Sequence, residues 1–240
     1  MLDCFGALFD ASKLAKGDVI VIFDADYVPN KGLLKQIVSP FLDPEVGITM
    51  GRVVPYNVST NLLTRMLDME RSAGYQGDQQ ARMNMALLPQ YGGTVGGIRV
   101  QALKDAGGFT PGVLSEDTDL TFRMLQKGWK VGYINTAECY EEVPENWPVR
   151  IKQLRRWAKG HNEAMFKYLA PSIVNPFFTF RERLEAVLTL CVYAVAPLTV
   201  LGWFMVLFAY FSGVTANYID WGIPVLAMAT YAGFGNAAAF

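Results

Sequence analysis

The sequence predicts an α/β domain with helices on both faces of a sheet, followed by apolar helices of membrane type. Three observations carry this. Helix-like and strand-like segments alternate through residues 1–183. All 21 Lys and Arg lie at or before Arg183, whereas residues 184–240 hold two acids, Glu185 and Asp220. Residues 186–211 carry no charge, and a bilayer core needs roughly 20 apolar residues as helix. Composition agrees: 52% of the chain is hydrophobic and 18% charged, enough apolar surface to offset chain entropy, which excludes a disordered chain. The net charge of −1 excludes a strongly basic surface, so no nucleic-acid partner is expected. Cys4, Cys139 and Cys191 show no paired spacing, which argues against a disulfide framework and suits a reducing compartment.

The elements follow in order. Residues 8–15 read as helix. Residues 19–23 (VIVIF) form a continuous β-branched run, typical of a strand buried on both faces. Asn30 is placed to cap a helix running to about Val38 and stopped before Pro40. Residues 46–50 read as strand. Residues 59–73 place Leu62, Leu63, Met66, Leu67 and Met69 at helical spacing. Residues 115–126 read as helix ended by Gly128, residues 129–134 as strand, and residues 147–168 as a longer helix.

The apolar run 186–211 contains Pro197, which is expected to kink it, as membrane helices tolerate. Residues 212–222 form a short polar turn, and 223–240 begin a second apolar run. Arg181 and Arg183 precede the first span and no base follows it. The positive-inside rule therefore puts residues 1–183 in the cytoplasm, with multi-pass anchoring in the cell membrane. No signal peptide is visible, since Asp3 and Asp10 interrupt the N-terminal apolar residues. The expected organisation is a cytosolic catalytic domain over 1–170, an interfacial segment over 171–185, a transmembrane helix over 186–211 and the start of a second over 223–240.

Four motifs carry chemistry. Asp24-Ala25-Asp26 directly follows the VIVIF strand. In extended chain, residues i and i+2 share a face, so both carboxylates can meet at the strand's carboxyl end. Two hard oxygen ligands there suit Mg²⁺ or Mn²⁺ carrying a diphosphate; a solvated acidic turn is the plainer alternative. Ser115-Glu116-Asp117 opens a helix, where capping and the helix dipole alone explain Ser and acids. Its functional reading is a general base. On the long helix, Lys152, Arg155, Arg156 and Lys159 fall at i, i+3, i+4 and i+7 around Gln153-Leu154-Arg155-Arg156-Trp157. Arginine forks suit phosphate oxygens and the indole suits a sugar ring, while the same basic face suits anionic lipid headgroups. Gly92-Gly93-Thr94-Val95-Gly96-Gly97 lacks the Gly-Lys-Ser/Thr ending of a P-loop, and reads as a close backbone approach or a tight turn. His161 is the sole histidine, which disfavours a zinc site or a Cys–His pair. A G-x-S-x-G elbow is also missing.

Taken together, D-x-D after a hydrophobic strand, S-E-D later in the chain and Q-x-x-R-W before an apolar helix resemble the processive family 2 glycosyltransferases, such as cellulose, chitin and hyaluronan synthases. The Q-x-x-R-W element is the most specific part. The resemblance implies a GT-A fold and inverting transfer from a UDP-sugar to a growing polysaccharide at the lipid bilayer. It implies donor contacts from Asp24, Asp26 and Arg156, with Asp26 on the Mg²⁺ or Mn²⁺ ion. It implies Asp117 as general base, Gln153 and Trp157 at the acceptor, and Thr94 and Glu116 beside it. The family's first strand, with its uridine-binding acid, and its later spans are absent, so a piece of a longer protein, truncated at its N-terminus, is expected. Two alternatives are a single-sugar transferase acting on a lipid or glycan, and a catalytically silent membrane scaffold of the same fold. A partner subunit is left open.

Overall fold

The structure, a computed structural model, describes residues 4–212, 222–224 and 226–227. Two compact units divide it, with the boundary between Val187 and Leu188. The chain order is α1 (Cys4–Leu14), β1 (Val19–Ile22), β2 (Val28–Pro29), α2 (Leu33–Val38), β3 (Val46–Pro55), α3 (Leu62–Ser72), α4 (Gln80–Asn84) and β4 (Gly96–Arg99). It continues through α5 (Val100–Asp105), α6 (Glu116–Leu125), β5 (Lys130–Glu141), α7 (Trp147–Val174), α8 (Phe180–Leu190) and α9 (Val195–Phe211). A π-helical turn, Ala73–Gln79, joins α3 to α4.

The first unit is built on one mixed sheet of order β1-β4-β3-β5-β2. β3 and β5 are parallel, while β4 runs antiparallel to both β1 and β3. β1, β3 and β5 therefore point the same way. Their carboxyl ends, together with the loop entering β4, collect at one end of the sheet. Open α/β sheets keep ligand sites at such an end.

The VIVIF strand differs from expectation. β1 pairs with β4 alone among the described residues, and Ile22 is the one buried position of its four. A β-branched run satisfies a half-covered end strand as well as a central one, and sequence periodicity does not separate the two. β3 and β5 hold the centre instead and run further than expected, to Pro55 and Glu141. Ile37, Val53, Val95, Ala137 and Cys139 form a core cluster at the sheet's carboxyl end, with Tyr27 and Tyr75 packed against it.

Helix starts follow local chemistry. Asn61 opens α3 with a capping box: Thr64 N–H donates to Asn61 Oδ1 at 3.0 Å, and Asn61 N–H donates to Thr64 Oγ1 at 3.1 Å. Asn30 does not cap α2. Its Oδ1 accepts from Lys31 N–H, and the helix starts after Gly32 at φ +86°, because that left-handed glycine turns the chain before helical geometry begins. Ser115 stands at the N-cap of α6 without a side-chain cap bond. α7 runs unbroken across position 170 to Val174.

In the second unit, the helical run breaks at Cys191 and resumes as a short 3₁₀ turn and then α9. Pro197 stands just after this break. It sits in the first turn of α9, where a missing N–H costs no intrahelical bond. Residues 192–209 make one helical stretch long and apolar enough to cross a membrane. Most of the second apolar run, 223–240, lies outside the described residues.

Candidate active site

The D-x-D turn leaves β1 with its backbone pinned. Asp24 N–H donates to the Thr94 hydroxyl at 3.0 Å, and Tyr27 N–H to the Asp24 carbonyl at 3.1 Å. Thr94 is buried, between Gly93 at φ +84° and Val95 at φ +50°. A β-branched residue at positive φ is strained, and here Val95 packs in the core while its carbonyl accepts Gly51 N–H at 2.8 Å. The glycine segment is thus a tight turn aiming Thr94 at the D-x-D strand end. The Thr94 side chain also favours the ionised form of Asp24.

Asp24 opens to solvent, yet the surrounding walls desolvate its carboxylate and push its pKa up, helped by the charges of Asp26 and Glu141 and opposed by Arg156. Glu116 and Asp117 occupy the first turn of α6. Burial, reinforced by Asp117, raises Glu116 to about 7. Burial also raises Asp117, while the Thr118 N–H, bonded to its Oδ1 at 2.7 Å, and the charge of His161 hold it back. A Cβ on Gly93 would stand 3.3 Å from Asp117 Cβ, so the glycine turn lies directly against the base candidate. Arg156 is exposed on α7, and its charge reaches both Asp24 and Glu116.

The structure therefore brings Asp24, Asp26, Thr94, Glu116, Asp117 and Arg156 together. Trp157 and Gln153 stand beside them in a protein network. Arg150 donates to Gln153 Oε1 at 2.7 Å and to the Glu70 carboxylate at 2.5 Å. The guanidiniums of Arg150 and Arg71 lie over the Trp157 ring, 5.0 and 5.6 Å from its centre. Glu141, at the end of β5, accepts from Tyr27 at 2.7 Å and from Arg71. Sequence reasoning missed Glu141, Arg71 and Arg150. Glu141 had one readable signal, an acid in the alternation Ala137, Cys139, Glu141, Val143. Arg71 had none, because its partner is remote in sequence; Arg150 lies one helical turn before Gln153, but its carboxylate partner Glu70 is remote.

Among the described residues, no group of three or more His, Cys, Asp or Glu side chains is close enough to hold a metal by itself. The coupled carboxylates of Asp24 and Asp26 nevertheless fit a hard divalent ion that keeps water and phosphate oxygens in its shell.

A mixed α/β sheet with acids, a glycine turn and an arginine–tryptophan helix at its strand ends defines a site of one recognisable class. Residues 19–235 match the family model described as glycosyl transferase family group 2, and the chain belongs to that family. It is 31% identical over 157 residues to the probable glycosyltransferase YdaM of Bacillus subtilis (strain 168), covering 65% of this chain and 37% of that protein. It is 30% identical over 201 residues to glucomannan 4-beta-mannosyltransferase 7 of Arabidopsis thaliana, covering 77% of this chain and 36% of that protein. The chain thus spans little more than a third of the length of these curated relatives. The mannosyltransferase PcManGT of Pyrobaculum calidifontis, solved with GDP-Man and Mn²⁺, superposes with a TM-score of 0.53 at 20% identity, over 97% of this chain and 66% of that one. The fold is accordingly the GT-A-like α/β glycosyltransferase fold.

Proposed function

We propose that the protein transfers a sugar, with inversion, from a nucleoside-diphosphate sugar to a growing polysaccharide at a membrane, in the manner of the processive family 2 synthases. The observation that carries this is the convergence of Asp24, Asp26, Asp117 and Arg156 at one end of the sheet, in a chain of this family.

Asp24 holds the nucleotide side of the donor and Arg156 meets the diphosphate. Asp26 is the metal ligand, and a bound Mg²⁺ or Mn²⁺ would neutralise charge on the leaving diphosphate. Asp117 takes the proton of the acceptor hydroxyl as its oxygen bonds the anomeric carbon and the bond to the diphosphate breaks. Its raised pKa brings it nearer working pH, where a base is most effective. One carboxylate suffices, unlike hydrolases that need an acid as well. Glu116 and Thr94 support the acceptor loop, and the amide nitrogen of Gln153 with the Trp157 ring receives the acceptor sugar.

The donor reads first as a UDP-sugar. A second reading, GDP-mannose, is favoured by two relatives named as mannosyltransferases. The basic flank Arg181 and Arg183, ahead of an exposed apolar helix, supports anchoring in the cell membrane with residues 1–183 cytoplasmic. On this reading residues 171–185 form an interfacial segment, 186–211 the transmembrane helix and 223–240 the start of a second.

The test uses the full-length protein in membrane vesicles with Mg²⁺ or Mn²⁺. Labelled UDP-glucose, UDP-N-acetylglucosamine, UDP-galactose, UDP-glucuronic acid and GDP-mannose are offered, with Asp117→Asn as control. Label in high-molecular-weight product from one donor, absent in the control, is expected. Label confined to a lipid or a single added sugar would point to a single-sugar transferase. Nucleotide binding without any product would point to the silent scaffold.

A further inference from the structure

Arg71 on α3 and Glu141 at the end of β5 form a pair that the proposed chemistry does not use. Arg71 donates to Glu141 through both Nε and Nη2, the latter at 3.2 Å from Oε2. The Glu141 side chain is 6% exposed and that of Arg71 20%. A buried ion pair of this kind is weak evidence for stability, because desolvation cancels much of its attraction. Its placement carries more information. Glu141 also accepts the Tyr27 hydroxyl at 2.7 Å, and Tyr27 directly follows Asp24-Ala25-Asp26. At the other end, the Arg71 guanidinium lies over the Trp157 ring, 5.6 Å from its centre. Arg150 stands 5.0 Å from the same ring and is itself fixed by Glu70. An unbroken run of contacts, Tyr27–Glu141–Arg71–Trp157, therefore joins the D-x-D turn to the tryptophan of Q-x-x-R-W. A planar fork bonded at one edge and lying over a ring restrains both partners, which a lysine does not do.

We propose that Arg71 and Glu141 are positioning residues that fix the Trp157 indole relative to the Asp24-Ala25-Asp26 turn, so that an acceptor sugar on the ring meets a donor held by the carboxylates. The inference rests on the reading above for its catalytic consequence. Its structural half is independent of any reaction. Loss of the pair shifts the ring without removing a nucleotide contact.

The test uses full-length protein labelled with 5-fluorotryptophan, the Trp157 resonance being the one lost in Trp157→Phe. Arg71→Met and Glu141→Gln are each expected to move that resonance. Each is expected to lower sugar transfer about tenfold to a hundredfold, the scale of a small misplacement of reacting groups. Affinity for UDP or GDP with Mn²⁺, read by calorimetry, is expected to stay within about threefold in Arg71→Met, because Arg71 is no nucleotide contact in the reading above; Glu141→Gln also removes a charge acting on Asp24 and is not held to that limit. Arg71→Lys is expected to fall between wild type and Arg71→Met. The double variant Arg71→Met/Glu141→Gln leaves no buried charge unpaired, so it serves where a single variant fails to fold. Its loss is expected to be no greater than that of the worse single, as coupled residues require. A Trp157 resonance unmoved in the folded variants overturns the proposal, as do losses that multiply in the double variant. Wild-type protein that transfers no sugar from any donor sinks the catalytic reading, while the resonance still decides the positioning.

Discussion

Asp26 stands exposed at the strand end, whereas Glu116 and Asp117 are partly covered on the first turn of α6. That difference separates their expected roles. Asp26→Ala is expected to weaken Mn²⁺-dependent nucleotide binding at least about tenfold, as loss of a carboxylate ligand would. It should leave metal-free binding unchanged, and unchanged affinity with Mn²⁺ in calorimetry would count against the assignment. Glu116 supplies a second check through pH. Its folded pKa, about 7, lies above the ordinary 4.5 because burial and Asp117 favour the neutral form. Between those values the folded protein binds more protons than the unfolded chain, so this group lowers stability as pH rises through the window. Glu116→Gln should remove that slope. Thermal midpoints of metal-free wild type and variant are therefore expected to diverge from pH 5 to pH 7.5 in favour of the variant. Parallel midpoints would show that Glu116 is not held neutral.

At the scale of elements, α6 is fixed to α7 through Asp119, two residues beyond the base candidate. Its Oδ1 accepts from Lys167 at 2.7 Å and from Tyr168 at 2.5 Å, and its Oδ2 accepts from Arg123 at 2.8 Å and Thr110 at 3.1 Å. Burial opposes ionisation, but the bonds from Lys167 and Tyr168 and the charge of Arg123 outweigh it, so the pKa is lowered. The stabilisation is present above the ordinary pKa near 3.8 and is lost as pH falls through the folded value. Asp119→Asn at pH 7 is expected to cost about 3 kcal/mol, since it breaks a buried charge-assisted network. That corresponds to a thermal midpoint lower by about 6–12 °C, and a shift under about 2 °C would show the network to be dispensable.

This network also shows what the sequence could convey. Helical spacing and strand runs placed α3, α6, β5 and α7, because burial patterns repeat locally. Asp24, Asp117 and Gln153-Leu154-Arg155-Arg156-Trp157 were visible as short motifs. Asp119 stood in view beside Asp117, and Arg123 follows it at i+4, but its partners on α7 lie 48 and 49 positions away, and no local pattern announces such a contact. Glu141 with Arg71, 70 positions apart, was hidden for the same reason. The end position of β1 was misjudged because a β-branched run does not report how many neighbours a strand has.

For the whole molecule, the asymmetry of charge along the chain leads to a prediction about where it resides. Leu198, Leu201, Phe204, Met205 and Phe208 on α9 are all more than half exposed. An apolar surface of that extent on a helix without charge demands cover by lipid or by protein. If lipid covers it, the full-length protein should stay with membranes through alkaline carbonate washing and leave only with detergent. Protease added to sealed vesicles with the cytoplasmic face outward should digest residues 1–183, while vesicles of the opposite orientation protect them. Leu201→Lys and Phe204→Lys together should weaken retention, because a lysine at mid-span costs about 2.5–3.5 kcal/mol. If another protein covers α9 instead, carbonate strips the chain from the membrane, and the two lysines abolish a stoichiometric complex rather than membrane binding. The first outcome anchors the chain in a bilayer and supports the polymer reading proposed above. The second detaches the sugar chemistry from the membrane and returns the single-sugar reading to the front.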